Sequence, residues 1–280
     1  MLSQAVTTLA QCPSPRLDAE ILLAWVLDRP RSWLRAYPEY QLSAAAVASY
    51  TDLIRRRAQG EPVAYLRGEQ EFWSLALQVT PDTLIPRPET ELLVELALLA
   101  CRDLKAPRIA DLGTGSGAVA IALQYQRRDA LLVGVDISAA ALTVATANAR
   151  RHQVTVDFRC GHWCEPLAAE AFHLIVANPP YIETDSPWLT QNGLPYEPQM
   201  ALVAAENGLA ALRQIIATAA KHLLHGGQLL LEHGHNQAVA VAALLIEHGY
   251  QGITLHHDLA GLPRVTAATL GLRGVGEGVD

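Results

Sequence analysis

Asn178-Pro179-Pro180-Tyr181 follows directly on the apolar run Leu174-Ile175-Val176-Ala177. A nitrogen whose lone pair is delocalised into a carbonyl or a ring is a weak nucleophile, so chemistry there depends on presenting it in one orientation. The Asn178 side-chain oxygen and the Pro179 carbonyl can accept both N–H bonds of a planar –NH2 group. Proline holds φ and offers no competing N–H, and Tyr181 can lie flat against a planar substrate group. Taken alone, the tetrapeptide is also a good strand terminator.

A second constellation lies upstream, where the apolar stretch Arg108–Leu112 runs into Gly113-Thr114-Gly115-Ser116-Gly117. Glycines at the carboxyl end of a strand let the backbone approach a ligand closely. Gly113, Gly115 and Ala118 satisfy the relaxed dinucleotide pattern, so a nicotinamide or flavin is weighed beside S-adenosylmethionine. Three alternate glycines, and Asp111 placed to hold a ligand amino group through the loop, tilt the choice to S-adenosylmethionine. Asp136 follows 19 residues after Gly117, at the end of the next apolar stretch, where a carboxylate can accept both hydroxyls of an adenosine ribose.

Positioning these residues takes alternating strands and helices. The pattern predicts a helix from Pro88 to about Cys101, strand Arg108–Leu112, helix Gly117–Gln126, strand Leu131–Asp136, helix Ala139–His152, and strands near Val154–Arg159 and His173–Ala177. Such alternation implies a mostly parallel sheet covered on both faces. A proline-punctuated stretch to about Pro198 has the character of a substrate wall or lid. Helix Gly208–Leu224, strand Gln228–Glu232, helix Gln237–His248 and strands near Ile253–His257 and Thr266–Leu270 complete the expectation. Ahead of this region, Leu17, Ile21, Ala24 and Trp25 recur at helical spacing, and a second helix begins at Ser43 as N-cap and runs through Tyr50 and Ile54 to Arg57. Glu71–Val79 is rich in strand formers and is expected to be a hairpin or linker.

The 280 residues are half hydrophobic and carry a formal charge of −7, which suits a packed protein and argues against disorder. No part is strongly basic, which argues against a nucleic-acid backbone as the main partner. No secretory leader or membrane-length apolar run is evident. Cys12, Cys101, Cys160 and Cys164 make no C-x-x-C pair, and a soluble cytoplasmic enzyme with reduced thiols is the expectation. His222/His225 and His233/His235 have the spacing of metal pairs but lack companions, so no metal is expected. The basic run Arg55-Arg56-Arg57 complements a helix terminus or meets a partner.

The blocks DAEILLAWVL, GEPVAYLRGEQEFW, LIPRPETE (Leu84 to Glu91), DLGTGSG, NPPYI and DLAGLPR together resemble the HemK-type peptide-chain-release-factor glutamine methyltransferases over nearly the whole chain. The tetrapeptide is shared with DNA adenine methyltransferases. LIPRPETE is more specific and separates this group from the ribosomal-protein glutamine methyltransferases, whose block resembles PRSP. The resemblance implies an α/β fold in which a Rossmann-like S-adenosylmethionine-dependent methyltransferase domain with a seven-stranded sheet (86–280) follows a small all-helical substrate-recognition domain (1–69) and a β-hairpin or linker (70–85). It implies that Gly113, Thr114, Gly115, Ser116 and Gly117 hold the methionine part of S-adenosylmethionine, Asp136 the ribose and Trp163 the adenine region. Asn178 would serve both cofactor and substrate, and Asn178, Pro179, Pro180 and Tyr181 would hold the amide. Gly161-His162 stands before Trp163 where the family commonly has a small polar or acidic residue. The implied substrate is the glutamine of the Gly-Gly-Gln loop in class-1 release factors, methylated at N5, with neither nucleic acid nor membrane as partner. Ribosomal-protein glutamine or nucleic-acid adenine N6 methylation, and a non-catalytic adapter that only binds the cofactor, are the competing expectations.

Overall fold

The structure, a computed structural model, describes residues 1–191 and 193–271; the remainder of the region expected as 86–280, residues 272–280, lies outside the described residues. The first 67 residues form five helices: α1 (Leu2–Thr8), α2 (Pro15–Leu27), α3 (Arg31–Ala36), α4 (Ala44–Ala58) and α5 (Val63–Arg67). Ser43 caps α4, its hydroxyl accepting from the Ala46 N–H at 3.2 Å. The packing face of α2 differs from the expected stripe. Ala19, Leu22 and Leu23 meet Tyr50 and Ile54 of α4 in the core, while Leu17 and Trp25 are exposed. The helix is apolar on several sides, so spacing alone did not select its inner face. Of the arginine run only Arg57 turns inward, pairing with Asp18 at 2.8 Å; Arg56 is half-buried and pairs with Glu61, and Arg55 is exposed beside Asp52.

A hairpin of β1 (Glu69–Phe72) and β2 (Leu75–Gln78) follows. It starts two residues before the expected Glu71, because its turn falls at Trp73-Ser74, both in the left-handed region (φ 53° and 60°). That is the conformation of a tight hairpin turn, here without glycine or asparagine to announce it. The hairpin is docked through Asn148 on α8 (Ala139–Arg151). The Asn148 side chain is wholly buried; it accepts from the Gln78 N–H (2.7 Å) and donates to the Gln78 carbonyl and the Ser116 carbonyl (both 2.9 Å).

The larger unit continues with α6 (Glu91–Ala100), β3 (Arg108–Leu112), α7 (Ala118–Gln126), β4 (Leu131–Asp136), α8, β5 (Asp157–Cys160) and β6 (Phe172–Ala177). Then come the short pair β7 (Ile182–Glu183) and β8 (Val203–Ala204), α9 (Ala205–Gly208), a turn in which Glu206 and Asn207 are left-handed (φ 56° at both), α10 (Ala210–Ala219), β9 (Leu223–Glu232), α11 (Ala238–Glu247), β10 (Tyr250–His257) and β11 (Pro263–Leu270). Seven strands make one sheet in the order β10-β11-β9-β6-β3-β4-β5, with β11 antiparallel to both of its neighbours and β9 through β5 mutually parallel. Each face buries a separate core, one built on Leu112, Ile175 and Leu231, the other on Ile109, Val176 and Leu230. The alternation along β3, β6 and β9 thus feeds both sides of a doubly covered sheet.

The expected helix to Leu224 stops at Ala219, because Leu223 pairs with Phe172 as the first residue of β9. The register slips between Phe172 and Leu174, where Gly226-Gly227 bulges out. Gly226-Gly227 is therefore a kink within a strand.

Asn148→Ala would strip partners from three backbone groups, the part-buried N–H and carbonyl of Gln78 and the buried carbonyl of Ser116. We expect it to lower unfolding free energy by about 2–3 kcal/mol in urea titration; a loss below about 0.5 kcal/mol would remove Asn148 as the clamp between hairpin and sheet.

Candidate active site

The register of the parallel strands brings the motifs together. Leu112 pairs with both Val135 and Ala177, Ala177 pairs with Leu231, and Asp136 pairs with Cys160. One step past those pairs, Glu232, Asn178, Gly113 and Asp136 stand in a row along the carboxyl edge of the sheet. Motifs far apart in the chain become neighbours through register alone.

The glycine loop is wound tightly at this edge. Gly113, Gly115 and Gly117 all have positive φ (74°, 55° and 82°), and the N–H groups of Gly113 and Thr114 both donate to the Val135 carbonyl at 2.8 and 2.9 Å. A Cβ on Gly113 would lie 3.3 Å from the Trp163 ring, so the missing side chain is what lets the tryptophan lie over the loop. Asp111 faces away from this surface. Fully enclosed, it accepts from the Thr114 hydroxyl at 2.6 Å and the Ala120 N–H at 3.2 Å, clamping the loop to the first turn of α7. Burial pushes its carboxyl up to about 6.

A cleft of about 650 Å³ opens here, lined by Gly113, Gly115, Asp136, Trp163, Asn178 and Pro180 among others. Thr114, Ser116 and Gly117, expected among the ligand contacts, do not line it. Thr114 is spent on Asp111, the Ser116 hydroxyl is enclosed without a partner, and Gly117 is pressed against Ile121 and Ala145. Asp136 receives the Gly115 N–H at 2.8 Å on one oxygen and the Ser138 N–H at 2.9 Å on the other. Each oxygen retains acceptor capacity for a hydroxyl. Its carboxyl is raised by burial, against these two N–H donors. Trp163 is held at the far wall by its indole N–H, which donates to Gln214 at 3.1 Å, with the His162 ring beside it at 5.3 Å between centroids.

A second cavity of about 700 Å³ lies across the tetrapeptide, lined by Arg87, Pro179, Tyr181, Ile182, Trp188 and Leu194. Leu84, Asn178, Pro180 and Ala201 line both spaces. The tetrapeptide is thus a partition with a cavity on each side, the arrangement a transfer between two bound molecules requires.

Several residues outside the glycine loop and the tetrapeptide hold this partition. Asn178 donates its side-chain N–H to the Thr90 hydroxyl at 3.1 Å, which leaves its oxygen for the cleft. Tyr181 does not present its hydroxyl to the cavity but turns it to Glu232 at 3.4 Å. Gln237 donates to the Tyr181 carbonyl (3.0 Å) and the Asn207 carbonyl (3.1 Å). Gly208, with φ 81°, packs so closely that a Cβ would fall 2.1 Å from the Tyr181 carbonyl oxygen. On the outer wall, Glu197 accepts from the Ile85 N–H at 3.0 Å and pairs with Arg87, tying the 178–204 loop to the LIPRPETE segment. Thr90 lies in that segment, whose role only proximity reveals. Glu232 did carry a legible signal, an acid ending an apolar strand as Asp136 does. The second histidine pair is split: His233 is buried, with its Nδ1 on the Gly234 carbonyl (2.9 Å) and its Nε2 on the Thr266 hydroxyl (2.8 Å), whereas His235 is exposed.

Comparison with known proteins gives a consistent picture. Residues 1–68 match the family described as the PrmC N-terminal domain, and residues 89–190 match the methyltransferase small domain. A release factor glutamine methyltransferase of Coxiella burnetii is 47% identical over 96% of both chains. One of Vibrio cholerae is 48% identical over 90% of this chain and 89% of its own length. Among solved structures, a methyltransferase from Pyrococcus furiosus superposes with a TM-score of 0.56 over 79% of this chain and all of its own, at 14% identity. The T. thermophilus 16S rRNA N2 G1207 methyltransferase, solved with AdoMet and guanosine, reaches 0.55 over 72% of this chain and 50% of its own, at 18% identity. At such identity the last two speak for the fold.

Asp111 and Glu232 leave a signature in stability. Their folded carboxyls lie at about 6 and about 7, above the ordinary 3.8 and 4.5. The folded state therefore holds protons the unfolded chain has released, so their contribution is complete below pH 4 and is lost as pH rises through 7. We expect Asp111→Asn, which keeps an accepting oxygen, to show a smaller fall in Tm between pH 5 and pH 8 than the parent chain; an identical fall would remove Asp111 as a source of that dependence.

Proposed function

The chain belongs to the release factor glutamine methyltransferase family, and from that premise we propose that it methylates side-chain N5 of the glutamine in the Gly-Gly-Gln loop of class-1 release factors, acting in the cytoplasm with S-adenosylmethionine as methyl donor. The observation that carries this is the partition: Asn178 and Pro180 line the Asp136–Trp163 cleft on one side and the Tyr181–Trp188 cavity on the other.

The residues present fit S-adenosylmethionine. Gly115 leaves open space where a Cβ would stand, Asp136 has acceptor capacity for the ribose, and Trp163 and His162 offer a wall for the adenine. When bound, S-adenosylmethionine supplies an electrophilic methyl group. The protein's task is to aim the weak nucleophile. Asn178 Oδ1 and the Pro179 carbonyl accept the two N–H bonds of the substrate amide, which turns its lone pair toward the cofactor cleft. Preorganised acceptors then offset the positive charge that builds on nitrogen before a proton leaves to solvent.

A protein substrate also accounts for the helical unit at residues 1–69, which we assign to substrate recognition. It is tethered to the outer wall of the acceptor cavity: Tyr196 donates to the Gln59 carbonyl at 3.0 Å, and Gly193 packs on Pro62. A folded partner spanning both would be held in register with the cavity. The net charge of −7 disfavours nucleic acid in that place, and no described helix is long and apolar enough to cross a membrane.

Asp136→Ala is expected to weaken S-adenosylhomocysteine binding in calorimetry by about 1.5–3 kcal/mol, the worth of a charge-assisted pair of hydrogen bonds. Unchanged affinity in a folded variant would take Asp136 out of the site. Mass spectrometry of an intact release factor after incubation with enzyme and cofactor should find one added methyl on the Gly-Gly-Gln glutamine. Asn178→Ala should slow that reaction on the order of 10²-fold. Methyl on DNA adenine, or on a ribosomal protein but not on the factor, would replace the proposed substrate.

A further inference from the structure

Gln237, in the turn between β9 and α11, lines neither cavity and is buried. Both N–H bonds of its carboxamide are spent on main chain, one on the Tyr181 carbonyl at 3.0 Å and the other on the Asn207 carbonyl at 3.1 Å, and its oxygen accepts from the Gly234 N–H at 2.9 Å. Turned over, the amide would set an oxygen against two carbonyls and a donor against an N–H, so its direction is fixed. Resting on the function proposed above, we infer that Gln237 is a positioning residue for methyl transfer: it holds together the two carbonyls at which the wall loop leaves the tetrapeptide and returns, and so fixes the aim of the Pro179 carbonyl at the substrate amide.

The need for such a hold comes from the prolines. With φ fixed at both Pro179 and Pro180, the tetrapeptide is stiff and turns as a unit, so a rotation at either end swings the Pro179 carbonyl. The near end is set by β6, where Ala177 pairs with Leu112 and Leu231. The far end runs into the loop from Ile182 to Glu206, which carries Trp188 and Leu194 of the acceptor cavity. A loop of that length does not by itself hold one conformation at its root. Gln237 supplies the hold by joining Tyr181 to Asn207 and fastening both to the start of α11.

The returning end is shaped to meet this contact. Glu206, Asn207 and Gly208 have φ of 56°, 56° and 81°, three left-handed residues in succession. A glutamate adopts that conformation at a cost and keeps it only where its surroundings hold it. The turn brings Gly208 so close that a Cβ there would fall 2.1 Å from the Tyr181 carbonyl oxygen and 2.6 Å from the Gln237 nitrogen. Only glycine lets the three meet. The outer side of the loop is held separately, by Glu197 on the Ile85 N–H and Arg87 and by Tyr196 on the Gln59 carbonyl. The aim of the tetrapeptide therefore depends on Gln237, whereas the surface that docks a protein partner does not.

The test is steady-state methylation of an intact release factor by the parent chain, Gln237→Met, Gly208→Ala and the double variant, with S-adenosylhomocysteine affinity measured by calorimetry alongside. Methionine keeps the volume of glutamine and removes its side-chain hydrogen bonds, while alanine at 208 forces the contact apart with Gln237 still in place. Each single variant should bind S-adenosylhomocysteine as the parent does, keep the parental KM for the release factor, and lose kcat on the order of tenfold, a factor that matches one or two hydrogen bonds. The double variant should be about as slow as the slower single one, because both lesions break the same junction. A parental kcat in Gln237→Met, a loss confined to KM, or losses that multiply in the double variant would overturn the proposal. So would a loss of S-adenosylhomocysteine affinity equal to the loss in kcat, which would mark Gln237 as a support of the whole fold only. A parent chain that binds S-adenosylhomocysteine but leaves the factor unmethylated would instead overturn the substrate assignment on which this one rests.

Discussion

The parallel register of β9, β6, β3 and β4 is the constraint from which the site follows. With Leu112 opposite both Val135 and Ala177, and Ala177 opposite Leu231, all four strands end level. Each contributes the next residue to a common edge: Glu232, Asn178, Gly113 and Asp136. A slip of one residue on β6 would turn Asn178 toward the other face and carry Pro179 into its place. The two cores beneath, one on each face of the sheet, make such a slip costly because every buried side chain would change sides.

Around that edge the protein spends its polar groups on geometry. Asp111 is consumed in fastening the glycine loop, and Asn148 joins the same loop to the hairpin. Gln237 and the crowded Gly208 hold the far end of the tetrapeptide at the Tyr181 carbonyl, while Glu197 fixes the outer wall to residues 85–87. These enclosed polar groups are expensive to desolvate and are repaid by hydrogen bonds of defined direction. The raised carboxyls of Asp111 and Glu232 show the balance tipping toward desolvation where partners are few. Directional rigidity is what a reaction limited by the aim of a weak nucleophile demands.

Three of the blocks that carried the family resemblance, LIPRPETE, NPPYI and DLAGLPR, turn out to be pieces of one cluster. LIPRPETE delivers Thr90 to Asn178 and Arg87 to Glu197; DLAGLPR delivers Arg264 to the neighbourhood of Glu232 and Tyr181. The helical unit meets the same region through Gln59 and Pro62 against Tyr196 and Gly193.

Much of this was legible in the residues themselves. Strands alternating with helices, a glycine loop after β3, an acid ending β4 and Asn-Pro-Pro-Tyr ending β6 are local patterns. Period, turn chemistry and strand-end position make them readable one segment at a time. What the sequence could not supply were facts of proximity. The inner face of α2 was chosen by Tyr50 and Ile54 of another helix, and the hairpin turn at Trp73-Ser74 takes a left-handed conformation that neither residue announces. The end of α10 was decided by Leu223 pairing across to Phe172, not by the glycines after it. Thr114 and Ser116 look like ligand contacts in the motif and are turned inward by Asp111 and the packing of the loop. Thr90 and Glu232, 142 residues apart in the chain, became partners of Asn178 and Tyr181 only when the sheet closed. Side-chain direction depends on which neighbour supplies the missing donor or acceptor, and that is settled by tertiary contact alone.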